Sequence, residues 1–321
     1  MHHAVFLDAA TLGPDLSLDP LRQHVASLDV FEHTPAADVI ARCQGKTAVF
    51  TNKVAFSAET LAALPELQYI GLTATGTDPI DLDAAEANDV AVANIVAYCT
   101  PSVVQHVFGG LLALTHNTMR YADEVQRGAW QAQQTFCMLN YPIRELDGLV
   151  FGIIGYGELG QAVGSVAEAF GMRVVVAARD EHDDRSDRMP LAQLLQSADV
   201  VSLHCPLNAR TRHLINRDTL ALMKRDAVLI NTARGGLVDA AALAEALQQG
   251  QIGGAALDVL EPEPPQPDNL LLNIDLPQLI ITPHTAWGAK QARDRAVQQS
   301  ADAFAAYIEG HHMNRVTGTH V

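Results

Sequence analysis

The run Val150-Phe-Gly-Ile-Ile-Gly-Tyr-Gly-Glu-Leu-Gly160 carries a short apolar segment into Gly155-x-Gly157-x-x-Gly160 and on into a helix-like stretch. Glycines at that spacing suit a dinucleotide. The first permits a tight turn, the second lets backbone approach a pyrophosphate, and the third lets helix pack on strand, while the helix N-terminus offers free N–H donors to the phosphates. A bare glycine pattern also arises as a plain strand-to-helix turn; the strand before, the helix after and a second strand from Arg173 to Ala178 favour the cofactor reading. Ligands of open α/β sheets bind beyond the carboxyl ends of the strands, so polar residues there are the next candidates. Ile230-Asn-Thr-Ala-Arg-Gly-Gly-Leu-Val-Asp239 places Arg234 at one such end, Leu257-Asp-Val-Leu-Glu-Pro-Glu-Pro264 places Asp258 and Glu263 at another, and Ile280-Ile-Thr-Pro-His-Thr-Ala-Trp287 places His284 at a third. A guanidinium that holds an anion, with a histidine and a carboxylate, is a set able to bind a small acid and move a proton.

The elements that must position these residues alternate along the chain. Ala4 to Leu7, Ala48 to Phe50, Tyr69 to Leu72 and Val90 to Ile95 read as strands separated by helical stretches such as Ser57 to Ala63. Thr100-Pro101 opens a long helix running towards Arg120, with Thr as N-cap and Pro in the first turn. After the glycine turn the rhythm resumes, with strands expected at Asp199 to His204, Ala227 to Asn231, Gly254 to Asp258 and Leu279 to Thr282 in one parallel, doubly wound sheet. Ala289 to Ile308 has a helical apolar pattern and is expected to pack back onto the first domain. The prolines of Glu261-Pro-Glu-Pro-Pro-Gln-Pro267 suggest an extended loop. The fold class expected is α/β, two doubly wound parallel-sheet domains with a cleft between them. Residues 1–98 plus 288–321 would form one domain and 99–287 the other.

Composition narrows the partners. The chain of 321 residues is 48% apolar, enough for a sizeable core, and its formal charge of −16 disfavours nucleic acid or an anionic membrane as partner. A cationic pocket must therefore be built locally. Cys43, Cys99, Cys137 and Cys205 lack metal-ligand spacing and fit reduced thiols in a cytoplasmic protein. His2-His3 and His311-His312 read as solvated histidines, and no metal is expected. The N-terminal residues do not read as a signal peptide, nor any apolar run as a membrane span.

Together these segments resemble the D-isomer-specific 2-hydroxyacid dehydrogenase family. The most specific parts are Asn231-Thr-Ala-Arg-Gly235 and the ordered trio of Arg, Glu and His. Thr51-Asn-Lys-Val54, Ala74-Thr-Gly-Thr77, Gln105-His-Val-Phe108 and Tyr141-Pro-Ile-Arg-Glu-Leu146 extend the resemblance over nearly the whole chain and place it nearest the glycerate dehydrogenase and hydroxypyruvate reductase branch. The resemblance implies a flavodoxin-like substrate domain, a Rossmann cofactor domain, and reversible hydride transfer between a nicotinamide and a small 2-oxo acid, hydroxypyruvate or glyoxylate. Arg234 would hold the carboxylate and polarise the carbonyl, His284 would be the acid/base, and Glu263 its partner. The family's carboxylate loop points to Ala74, Thr75 and Gly76, with Asn52 and Lys53 lining the same site. The cofactor would meet Gly155, Gly157, Glu158, Leu159 and Gly160, the loop at His204, Cys205 and Pro206, then Thr232 and Ala233, with Asp258 at the carboxamide. A homodimer formed through the cofactor domain is implied, with the Thr100 to Arg120 helix and the Trp130 region near the partner. Asp78-Pro79 and Val96-Ala97 depart from the family's usual Asn-containing turn and Pro-Gly pair.

An NAD site expects an acid at the end of the second strand, to bond the ribose 2′-hydroxyl. Here the strand ends in Ala178 followed by Arg179, which removes repulsion against a 2′-phosphate and supplies a bidentate partner for it, so NADP(H) is favoured over NAD(H). In the counter-reading Asp180 reaches back to the ribose. Alternatives in function are a formate- or phosphonate-type dehydrogenase, disfavoured by Glu263 and Thr75, and a dinucleotide-sensing, corepressor-like binding protein.

Overall fold

The computed structural model describes residues 2–180 and 182–317, so Glu181 and the expected domain end at 318–321 lie outside the described residues. The chain divides into two compact units, one formed by the chain up to Cys99 together with the chain from Gly288, the other by Thr100–Trp287.

The first unit is a five-stranded parallel sheet, β1 (His3–Phe6), β2 (Ser27–Val30), β3 (Ala48–Thr51), β4 (Tyr69–Leu72) and β5 (Ala91–Ala93), in the order β2-β1-β3-β4-β5. That is the flavodoxin-like order. β3 and β4 are buried at every position, because helices cover both faces of a parallel sheet. The helix Lys290–Ile308 lies on this unit's sheet, with the Phe304 ring edge-on to Phe50 at 5.3 Å and tilted on Tyr69 at 4.9 Å. β2 escaped the sequence reading. Ser27 and Asp29 interrupt it, and at a sheet edge it needs only one apolar flank.

The second unit holds β6 (Val150–Ile154), β7 (Arg173–Val176), β8 (Val200–Leu203), β9 (Val228–Asn231), β10 (Gly254–Leu257) and β11 (Leu279–Ile281), all parallel, in the order β11-β10-β9-β8-β6-β7. A single bridge from Ala177 to Met189 adds an outer position beside β7. The chain leaves β6 outward on one side through β7 and returns on the other through β8. The strand order therefore reverses between β6 and β8, and such a switch point opens a crevice at the carboxyl ends.

The helix expected from Thr100 towards Arg120 is two helices, Thr100–Thr115 and Thr118–Gln126. Asn117 between them is left-handed, φ 52°, a conformation Asn tolerates better than most residues. Thr115 Oγ1 donates back to the Leu111 carbonyl at 2.9 Å in the last turn before the break.

Candidate active site

At the β6 turn the three glycines serve three different needs. Gly155 has φ 95°, and a Cβ there would lie 2.4 Å from the Cys205 nitrogen, so the turn is wedged against the loop after β8. A Cβ on Gly160 would lie 2.2 Å from the Gly155 carbonyl oxygen. Around Gly157 a Cβ would meet nothing within 4 Å. Gly157 is the N-cap of the helix Glu158–Ala169 and no side chain caps it, so the first turn of the helix, from exposed Glu158 to buried Gly160, begins with open space beside Gly157. Among the described residues this is a cradle that fits a diphosphate. The Glu158 carboxylate accepts from the Thr100 hydroxyl.

Beyond β7, Ala178 donates its N–H to the Met189 carbonyl at 2.8 Å, and Arg179 donates its N–H to Asp183 at 2.8 Å. Arg185 is 2.5 Å from the same carboxylate, and together these donors hold Asp183 far below the usual carboxylate range. Asp180 pairs with Arg210 at 3.3 Å, and Arg188 pairs with Asp187. The Arg179 guanidinium is exposed and has no acidic partner among the described residues. In the loop after β8, the His204 N–H binds the Ile154 carbonyl at 2.7 Å and its Nε2 lies 2.8 Å from Ser202 Oγ. Burial pushes His204 down to about 4 and raises the Cys205 thiol, so the imidazole is neutral and the thiol protonated near pH 7. Pro206 follows, its carbonyl accepting from Thr211 Oγ1 at 2.7 Å.

The turn after β9 is set by buried Asn231, whose Nδ2 donates to the Arg234 carbonyl at 2.8 Å while its Oδ1 accepts the Ala233 N–H at 3.0 Å. The Arg234 Nη1 donates to the Ala233 carbonyl at 2.8 Å. A Cβ on Gly235 would lie 2.1 Å from the Leu260 carbonyl, so this turn rests directly on the loop after β10. There Glu263 Oε1 accepts the Leu260 N–H at 3.0 Å and Oε2 lies 2.6 Å from His284 Nδ1. A carboxylate only accepts, so Nδ1 carries a proton and Nε2 is the nitrogen left for chemistry. His284 has φ 54°, a costly backbone state for a non-glycine residue, and its N–H is held by the carbonyls of Asp258, at 2.8 Å, and Thr282, at 3.0 Å. Leu260, Glu263, Pro264, Leu272, Ile281 and His284 line a cavity of about 470 Å³.

The carboxylate of Asp258 is buried. Its Oδ1 accepts from Thr282 Oγ1 at 2.5 Å and the Thr285 N–H at 2.9 Å, and its Oδ2 accepts the Ala286 N–H at 2.7 Å. One lone pair on Oδ2 remains for an amide donor. Among the described residues the buried hydroxyl of Thr232 has no hydrogen-bond partner. Both features fit a carboxamide-bearing ring.

In the first unit, Thr75 and Gly76 follow β4, and among the described residues their N–H groups have no protein acceptor. The turn is fixed through its carbonyls, Ala74 accepting the Ile95 N–H at 3.3 Å and Thr75 accepting from Asn94 Nδ2 at 2.8 Å. Asn52 is buried and Lys53 exposed after β3, and both donate backbone N–H groups to Asp8, at 2.9 and 2.7 Å. Asp8 was missed, although it is a polar residue just past a strand and the same rule that found His284 would have found it. Ala97, a non-glycine residue, adopts φ 56°.

Among the described residues there is no group of three potential metal-ligating side chains, and no helix is long and apolar enough to cross a membrane. Residues 108–286, more than half of the chain, match the D-isomer specific 2-hydroxyacid dehydrogenase, NAD binding domain. A glycerate dehydrogenase from Methylorubrum extorquens is 43% identical over 87% of this chain and 88% of its own, and a hydroxypyruvate reductase from Blautia hydrogenotrophica is 34% identical over 97% and 98%. The crystal structure of the TT0316 protein from Thermus thermophilus superposes with a TM-score of 0.84 at 34% identity, covering 98% of this chain and 99% of that one. With a dinucleotide cradle at the switch point and these relatives aligned over most of its length, the chain belongs to the D-isomer-specific 2-hydroxyacid dehydrogenases, and is a nicotinamide-dependent oxidoreductase that acts on a small acid.

Proposed function

We propose that the protein reduces hydroxypyruvate or glyoxylate to D-glycerate or glycolate, with NADPH preferred over NADH. The observation that carries the reaction is the Glu263 to His284 contact of 2.6 Å, which commits Nδ1–H to the carboxylate and leaves Nε2 to hand its proton to the nascent alkoxide. When bound, the dinucleotide supplies the hydride. Its diphosphate is assigned to the N–H groups at Gly157 to Gly160, and its carboxamide to Asp258 and Thr232. His204, Cys205, Pro206 and Ala233 are assigned as contacts along its length. Arg234 is assigned to the substrate carboxylate and the carbonyl oxygen, since a guanidinium keeps its charge and presents a planar fork. In the first unit, the Ala74 to Gly76 turn is assigned to an anion through its N–H groups, with Asn52 and Lys53 beside it.

The NADPH preference rests on Arg179. Its neighbours Arg185, Arg188 and Arg210 have acidic partners, while its own guanidinium has none among the described residues. Asp180, the rival ribose ligand, is paired with Arg210. A homodimer is supported by the apolar side chains exposed between Met119 and Ile143, with Phe136 at 90% and Leu139 at 75% exposure, near Trp130. Sedimentation at about twice the 34.5 kDa chain mass is the expected result. The test of function is loss of reduced-nicotinamide absorbance with hydroxypyruvate, glyoxylate and pyruvate, each with NADPH and NADH, beside a His284→Ala control. Turnover of the first two acids that vanishes in the control supports the assignment, and dinucleotide binding without turnover of any acid refutes it.

A further inference from the structure

We propose that His106 is a positioning residue for the acid/base histidine, acting through Thr282 and Asp258; this rests on the assignment of His284 above. His106 lies on the helix Thr100–Thr115, and its Nε2 is 2.9 Å from Thr282 Oγ1 and 3.4 Å from Asp258 Oδ1. The Thr282 hydroxyl has one proton. With a carboxylate oxygen 2.5 Å away that can only accept, that proton belongs to the bond with Asp258. The hydroxyl oxygen is therefore an acceptor towards the imidazole, and His106 must carry its proton on Nε2. The direction of the whole chain is fixed: His106 Nε2–H to Thr282, Thr282 O–H to Asp258.

Asp258 is the hub of the catalytic loop. Its carboxylate receives the N–H groups of Thr285 and Ala286, and its carbonyl receives that of His284. These bonds hold His284 in its left-handed conformation. The same helix face reaches the loop a second time, four residues earlier, where Ser102 Oγ donates to the Ala286 carbonyl at 2.6 Å. Ser102 and His106 thus grip the loop at both ends of residues 282–286. The ring of His106 borders a cavity of about 480 Å³ with Gly109, Gly110 and Ala113 on its wall, so the side chain is held by its hydrogen bond more than by close packing. Of the residues lining that cavity, His106 and Asp258 are the titratable ones.

The experiment compares His106→Gln with His106→Leu in the full chain, after thermal melts show both to be folded. A glutamine amide nitrogen can take the place of Nε2 and donate to Thr282, whereas leucine leaves the hydroxyl oxygen and the hub one donor short. His106→Leu is expected to lower kcat about 10-fold with KM for the 2-oxo acid within about 2-fold, and His106→Gln to stay within about 2-fold of wild type, since small misplacement of a catalytic group costs one to two decades in rate. The second readout needs no turnover. In protein labelled at histidine Cε1, the His284 resonance, assigned by its absence in His284→Ala, is expected to change chemical shift at fixed pH in His106→Leu and to keep it in His106→Gln. An unmoved His284 resonance in His106→Leu overturns the proposal, as does equal impairment by both variants. Failure of the wild type to turn over any 2-oxo acid would instead overturn the assigned reaction, and the resonance would still decide the role of His106.

Discussion

Gly157 and Gly160 lie in one fingerprint but are there for different physical reasons, and alanine at each separates them. A Cβ on Gly160 would sit 2.2 Å from the Gly155 carbonyl oxygen, roughly 1 Å inside ordinary contact, and the obstacle is backbone. Gly155 cannot retreat easily, because it is itself wedged against His204 and Cys205. Overpacking of this kind costs about 3 kcal/mol, at the upper end of the usual range. In a unit of this size that lowers Tm by roughly 6 to 12 °C. At Gly157 an added methyl meets nothing within 4 Å, and φ is −79°, ordinary for alanine. Loss of glycine as N-cap costs about 0.5 to 1 kcal/mol and the stiffer unfolded chain returns about as much, so Tm should hardly move. The methyl would, however, occupy the space in which a diphosphate meets the N–H groups. Losing one charge-assisted hydrogen bond, about 1.5 to 3 kcal/mol, weakens dinucleotide affinity about 10- to 100-fold. The measurements are a thermal melt of each apo variant and a fluorescence titration with NADPH. The reasoning fails if Gly157→Ala melts as low as Gly160→Ala, or if it binds NADPH as well as wild type.

If the proposed pairing of its guanidinium with a 2′-phosphate holds, Arg179→Ala should weaken NADPH binding at least about 10-fold while NADH, which lacks that group, stays within about 2-fold; equal effects on the two would reject the assignment. His204 sets a pH dependence of stability. Its folded value of about 4 lies below the ordinary 6.5, so the unfolded chain takes up the proton first. The stabilisation is complete above pH 6.5 and is lost as pH falls through the window to 4, by at most about 3 kcal/mol. Urea denaturation of His204→Gln across that window should show a flatter profile than wild type, and an unchanged slope would count against it. Asp8→Asn should lower stability by about 2 to 3 kcal/mol in the same assay, because an amide has one acceptor where the carboxylate serves Thr51, Asn52 and Lys53, and its NH₂ would face an N–H. A change below about 0.5 kcal/mol would refute that account.

The parts of the fold legible in the sequence are those where local pattern and tertiary demand agree. Tyr69 to Leu72 and Val150 to Ile154 are central strands buried on both faces, so they read as unbroken apolar runs ended by turn residues. Ser27–Val30 gave no such run because an edge strand is free to carry Ser27 and Asp29. The break at Asn117 was hidden because apolar spacing continues from Leu111 past it to Met119, and spacing does not report a single left-handed residue. Arg234, Glu263 and His284 stand out because each follows a strand within a few residues. The hydrogen bonds that fix them are a different matter. His106 and Thr282 are 176 residues apart, Thr282 and Asp258 are 24 apart, and Asp8 and Asn52 are 44 apart. No periodicity or motif carries such pairings, since they exist only once strand order brings the ends together.

The two sheets also use their switch points in opposite ways. In both, the strand order reverses beside the first strand of the unit, between β1 and β3 in one and between β6 and β8 in the other, so each has a crevice at the carboxyl ends of its strands. In the first unit Asp8, two residues past β1, fills that crevice with the protein's own anion and takes the N–H groups of Asn52 and Lys53. An external phosphate would find those donors already committed beside a carboxylate of its own sign. In the second unit glycine stands directly after β6, and the helix N-terminus that follows has neither a capping side chain nor a methyl in front of it. The same topology thus gives one sheet whose switch point is sealed and one whose switch point is open to a dinucleotide. The residue type just past the first strand, aspartate two residues on or glycine at the next position, decides which.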